Sequence, residues 1–289
     1  MPTKIEKDAL TGIELKGHEW DGIKELNTPL PRWWLYVFYA TIVWAAGYMV
    51  FYPAVPWLGG HSVGVLGYTA RDDLADKLKA QQARRAGGVA KIEAAAPAAI
   101  LKDQELLKIA RRGGEVAFKE NCAACHGVGG AGTKGSYPVL ADDDWIWGGS
   151  VDAIALTIRH GIRSEDPNAR ASEMPAYGAG LLTPAQIDEV AEFVLSLSGK
   201  ATSTAAAGKG SITYAEQCAA CHGEKGQGNV ELGAPKLSDQ IWLYGGTKAA
   251  IVAQVSKPRQ GVMPAFEGRL DETTRKMLAV YVHALGGGQ

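Results

Sequence analysis

Residues 121–127 read NCAACHG and residues 217–223 read QCAACHG, so Cys122, Cys125 and His126 have counterparts in Cys218, Cys221 and His222. Two cysteines three apart share one side of a helical turn, where both can bond the vinyl groups along one porphyrin edge. The histidine that follows turns its imidazole towards the iron as an axial ligand. Zinc is one competitor, since two Cys-x-x-Cys-His motifs 96 residues apart offer four ligands. A thioredoxin-like redox pair is another, but it calls for a strand–helix–strand context that the flanks lack. Duplication of the whole motif, each copy with its own downstream Met-Pro loop, favours two covalently attached haem c groups.

Working outward, the similarity extends into an internal repeat. Gly114 and Phe118 correspond to Gly210 and Tyr214 at an offset of 96. Pro138 and Leu140 match Pro235 and Leu237, and WIWGG at 145–149 matches WLYGG at 242–246, both at 97. Met174-Pro-Ala-Tyr177 matches Met263-Pro-Ala-Phe266 at 89. A last helix follows, with Val190, Phe193, Val194 and Leu197 answering to Leu278, Tyr281, Val282 and Leu285 at 88. Their i, i+3, i+4, i+7 spacing marks one helical face, and Thr183 and Asp271 stand where N-caps belong. The expectation is two copies of one small helical domain, at 105–198 and 205–289. Domains of this size build thin cores, so covalently held porphyrin should supply much of the buried apolar surface.

Each iron needs a sixth ligand or stays open for chemistry. Met174 lies 48 residues after His126 and Met263 lies 41 after His222. Thioether ligation raises a haem potential and closes the site, which suits electron transfer; core filling is the ordinary role of a methionine. Met277 has no first-repeat counterpart and reads as packing. The free ring nitrogens of His126 and His222 want acceptors, for which the carbonyls of Pro138 and Pro235 are candidates. Trp145, Trp147, Trp242 and Tyr244 could pack on haem or simply fill the core. Arg159, Arg163, Lys257 and Arg259 could neutralise porphyrin carboxylates or be solvated. His18, His61, His160 and His283 lack repeat partners and read as non-ligands. Which methionine serves which haem stays open, because exchange across a domain interface is geometrically possible.

The N-terminal third reads differently. From Trp33 to Tyr52 the chain runs WWLYVFYATIVWAAGYMVFY without a charge, 20 residues that reach about 30 Å as a helix, enough to cross a bilayer. Trp33, Trp34, Tyr52 and Trp57 flank it as an interfacial belt, and Pro53 and Pro56 stop it. A buried core helix is the competing reading, and the run begins too late and is too long for a cleavable signal. Lys16, Lys24 and Arg32 precede it closely whereas Arg71 alone follows within about 20 residues, favouring a cytoplasmic N-terminus. Gly47 beside Ala45 and Ala46 offers a small face for helix packing. Residues 1–32 are polar with turn signals, and 53–104 form a linker carrying an amphipathic helix from Thr69 to Arg85, capped by Thr69 and Asp72, with Leu74 and Leu78 on one face. Gly87–Ala99 and Ser198–Gly210 read as linkers. A formal net charge of −1 leaves no basic excess to suggest nucleic acid. Residues 107–198 carry 8 basic and 12 acidic side chains against 9 and 7 in 204–289, so the first domain would steer a basic partner.

Gly17-His-Glu-Trp-Asp-Gly-Ile-Lys-Glu-Leu-Asn27, Pro29-Leu-Pro-Arg-Trp-Trp34, the single span and both CAACHG motifs together resemble the di-haem subunit of cbb3-type cytochrome c oxidases, known as CcoP or FixP. The resemblance covers nearly the whole chain. It implies an all-α fold, with one N-terminal transmembrane helix followed by two tandem class I cytochrome c domains. It also implies haem iron ligands at His126, Met174, His222 and Met263. The implied role is electron transfer from a soluble or membrane-bound cytochrome c donor towards a mono-haem cytochrome c subunit and a catalytic haem–copper subunit. The chain itself would not be catalytic. The compartment implied is the bacterial inner membrane, crossed once, with the haem domains periplasmic. Three rivals remain open: a membrane-tethered di-haem carrier serving another respiratory complex or dehydrogenase; a di-haem peroxidase, against which the two Met-Pro loops argue; and a structural zinc protein.

Overall fold

The computed structural model describes residues 6–287 and divides into two units that part between Ala83 and Arg84. In the first, strands β1 (Leu15–Trp20) and β2 (Ile23–Leu26) pair antiparallel. Asp21 and Gly22 turn between them with φ of 49° and 85°, the backbone that a two-residue hairpin needs. That hairpin occupies the polar stretch in which only turns were expected; the Asp-Gly pair was its signal. Lys24 pairs with Glu6 at 2.8 Å across it.

Helix α1 (Arg32–Phe51) follows. It has no buried residue, and among the described residues it is the one helix long and apolar enough to cross a membrane. Tyr52 leaves the helix at φ −118° and ψ 158°, the extended backbone imposed on a residue before proline. A second, minimal hairpin pairs β3 (Pro56–Trp57) with β4 (Gly60–His61).

Helix α2 (Ala70–Ala94) starts where expected, with the Thr69 hydroxyl accepting from the Asp72 N–H at 3.0 Å. Leu74 and Leu78 are both exposed. The linker expected over Gly87–Ala99 is helical instead. Alanine is the best helix former, and a buried anchor overrides the two glycines. Gly88 lets Ile109 approach so closely that a Cβ would sit 2.9 Å from its Cδ1, and Ile92 is fully buried. A short helix α3 (Pro97–Lys102) completes the stretch.

In the second unit α4 (Gln104–Asn121) leads into a single turn, α5 (Ala123–His126), then α6 (Val151–His160) and α7 (Pro184–Leu197). The second repeat gives α8 (Thr204–Gln217), the turn α9 (Ala219–His222), α10 (Lys248–Ser256) and α11 (Glu272–His283). Thr183 and Asp271 cap α7 and α11, accepting from the Gln186 and Thr274 N–H groups. The linker expected over Ser198–Gly210 is confined to 198–203, because Ser203 caps α8 through the Ala206 N–H.

The repeats do not pack each on itself. The last helix of the first repeat, α7, crosses the first helix of the second, α8, while α11 crosses back onto α4 and α6. Both crossings pass over a glycine. A Cβ on Gly114 would strike Met277 O and Tyr281, and one on Gly210 would strike Glu189 O. Beside each crossing sits a tilted ring pair, Phe118–Tyr281 at 5.4 Å and Phe193–Tyr214 at 4.8 Å. Two cores result, each drawing on both repeats. One gathers Phe118, Val151, Ile154, Phe266, Leu278 and Val282; the other Tyr177, Ile187, Val190, Tyr214, Ile251 and Val255.

Candidate functional site

Each Cys-x-x-Cys-His motif is one helical turn at the foot of a long helix. Cys122 ends α4, and its carbonyl accepts from the N–H of Cys125 at 3.1 Å and of His126 at 2.9 Å. Cys218 ends α8 with the same two bonds, at 3.1 and 2.9 Å. In both copies the first cysteine faces inward and the second is exposed. Burial, reinforced by the neighbouring thiol, pushes Cys122 and Cys218 each up to about 11.

The imidazoles are oriented by main chain. His126 Nδ1 lies 3.3 Å from Pro138 O, and His222 Nδ1 lies 3.0 Å from Pro235 O. A carbonyl only accepts, so Nδ1 carries the proton and Nε2 keeps its lone pair. Burial lowers both histidine pKa values, outweighing the carbonyl that favours the cation. Both rings are therefore neutral donors near pH 7.

The methionines sit across the repeats. Met263 packs on the core containing Phe118, Cys122 and Ala123, whereas Met174 packs on the one containing Tyr214, Cys218 and Ala219. Main chain holds the first: Met263 and Ile162 exchange N–H···O bonds of 2.9 and 3.0 Å. A side chain holds the second loop, the Tyr177 hydroxyl donating to Gln217 O at 2.6 Å, one residue before Cys218. The structure thus brings Met263 to the His126 motif and Met174 to the His222 motif. Histidine, thioether and paired thiols around an apolar lining are a donor set that fits a c-type haem in each body.

The remaining candidates separate. Trp145 and Trp242 pack against the two cores, and Trp145 Nε1 donates to Gly287 O. Arg159 pairs with Glu267 at 2.6 Å, and Arg163 donates to Gly261 O and Ser172 O. Arg259 stacks over Tyr244 at 4.5 Å. Met277 lies over Gly113 in the helix crossing. His160 is buried, its Nδ1 3.1 Å from Asp166. Glu192 went unnoticed in the sequence. Fully buried, it accepts from Thr202 N, Thr202 Oγ1, Ser203 N and Lys248 Nζ at 2.6–3.1 Å. The Thr202 hydroxyl, followed by Lys248, holds its carboxyl down at about 2. A glutamate on a helix already read as amphipathic carries no sign that it points inward.

Comparison with known proteins covers all three parts of the chain. Residues 12–59 match the N-terminal domain of the cbb3 cytochrome oxidase protein FixP, 110–198 match cytochrome c, and 205–282 match cbb3-type cytochrome c oxidase subunit III. The chain is 50% identical over 291 residues, spanning both chains completely, to the cbb3-type cytochrome c oxidase subunit FixP of Bradyrhizobium sp. (strain ORS 278). It is 51% identical to the CcoP subunit of Azospirillum sp. (strain B510) over 98% of each chain. It is 52% identical to FixP of Azorhizobium caulinodans over 98% of this chain and 96% of that one.

Proposed function

This chain belongs to the FixP/CcoP family of cbb3-type cytochrome c oxidase subunits, and from that membership we propose a ligand set, a topology and a direction of electron flow. It is a membrane-anchored electron-transfer subunit with two cytochrome c domains.

Two haem c groups are attached, one at Cys122 and Cys125, the other at Cys218 and Cys221. The first iron takes His126 and Met263, the second His222 and Met174. The observation that carries this reading is the crossing of α7 onto α8 and of α11 onto α4, with the Tyr177–Gln217 bond between one repeat's methionine loop and the other's cysteine helix. When bound, each haem supplies a one-electron couple. The residues do the rest. Pro138 and Pro235 fix ring tautomer and orientation, the thioethers favour the reduced state, and the buried faces exclude water. Met263 and Met174 would close the two irons to dioxygen, so on this reading the chain passes electrons and does no oxygen chemistry itself.

Helix α1 spans the bacterial inner membrane once, with the N-terminus cytoplasmic and the haem bodies periplasmic. Electrons arrive from a cytochrome c donor and leave towards the mono-haem and haem–copper subunits. The test is to delete this chain and assay the remaining complex. Oxidation of the natural donor should fall while an artificial reductant acting downstream still supports oxygen uptake; undiminished donor oxidation would refute the role.

A further inference from the structure

Arg170 is a cation that the ligand set leaves unexplained. Its Nε is buried without a hydrogen-bond partner among the described residues, while NH2 donates to Ala153 O at 3.3 Å. Burial pulls the guanidinium below its ordinary pKa, with Glu231 acting in the opposite direction. An orphaned charged donor is a costly feature for a fold to keep unless something accepts from it.

Its neighbours show where it aims. Arg170 N donates to Gly161 O at 3.1 Å, and Arg163 N donates to Arg170 O at 2.8 Å. Ile162 bridges to Arg170 on one side and to Met263 on the other, so Arg170 lies two strand spacings, roughly 10 Å, from Met263. The guanidinium carbon stands 5.4 Å over the Trp147 ring, two residues after Trp145, which packs on the same core as Met263 and Cys122. The opposite repeat closes on this ring, since Gly233 approaches Trp147 with no room for a Cβ.

The arrangement is built twice. Arg259 follows Arg170 by 89 residues, the spacing of Met263 from Met174, and it stacks 4.5 Å over Tyr244, the counterpart of Trp147. In both repeats an arginine four residues before the methionine lies on the aromatic of the WxWGG or WxYGG segment.

We propose that Arg170 binds a carboxylate side chain of the porphyrin held between His126 and Met263, with Trp147 fixing the plane of its guanidinium. The inference rests on the haem reading above. A carboxylate left unpaired near the iron stabilises the ferric state, so its neutralisation by Arg170 raises that haem's potential.

The test uses the full chain in its solubilised complex. Haem content is measured first, because a chain without covalent haem would overturn the underlying reading and not this one. Arg170→Gln should then lower one of the two potentials, the same one lowered by Met263→His, and leave the other in place. Unchanged potentials, or a shift confined to the wave that Met174→His moves, would overturn the proposal. Should Arg170→Gln fail to mature, Arg170→Lys keeps the charge but loses the planar fork. It should shift the porphyrin carboxylate band in reduced-minus-oxidised infrared spectra, and an unmoved band counts equally against the assignment.

Discussion

At the residue scale, the proposed exchange of methionines makes a prediction that the duplicated motifs alone cannot. Imidazole donates to ferric iron more strongly than thioether, so Met174→His and Met263→His should each lower one potential by roughly a hundred millivolts or more. The two effects are separable. In a background with Cys122→Ser and Cys125→Ser, the surviving haem at His222 should lose its near-infrared methionine band on Met174→His and keep it on Met263→His. The reverse pattern would mean that each repeat ligates its own iron. Glu192 works at the same scale on the 198–203 turn. Its folded pKa is depressed, so its contribution to stability is complete above about 4.5 and is lost as pH falls towards about 2. Glu192→Gln should cost several degrees of Tm at pH 7 and flatten the acid limb of a stability–pH profile between those values.

At the scale of elements, two glycines of one helix separate propensity from packing. Gly208 and Gly210 both lie in α8; a Cβ on the first meets nothing within 4 Å, while one on the second strikes Glu189 O. Gly208→Ala should therefore be neutral or stabilising by up to about 1 kcal/mol. Gly210→Ala should destabilise clearly, since backbone cannot yield as a side chain does. Equal Tm values for the two variants would remove the crossing from the account. Ile92, fully buried on the stretch that composition marked as a linker, makes the companion case: Ile92→Ala should cost about 3 kcal/mol, and an unaffected Tm would return that stretch to the status of a spacer.

At the scale of the molecule, each of the two cores contains helices from both repeats. A protease site placed in the 198–203 turn should give two fragments that co-elute after cleavage and separate only in denaturant. Fragments that part under native conditions would mean the repeats pack independently. Topology is tested by fusion at the C-terminus, where a reporter active only in the cytoplasm should stay silent.

Much of this protein was legible residue by residue. Haem chemistry follows from Cys-x-x-Cys-His, the span from twenty uncharged residues, and the helices from their apolar period and caps, because each of these signals is local. Partner choice was not legible. The repeats present equivalent faces, Gly114 like Gly210 and Met174 like Met263, so periodicity serves an exchanged and an unexchanged arrangement equally well. Tertiary structure decided between them through the turn from Ser198 to Ser203: its six residues fold α7 back beside α8, the pairing with least loop to close, and Glu192 fastens that turn from within. With α7 taken by the second repeat, α4 is left for α11, and each Met-Pro loop packs on the core that holds the other repeat's first cysteine.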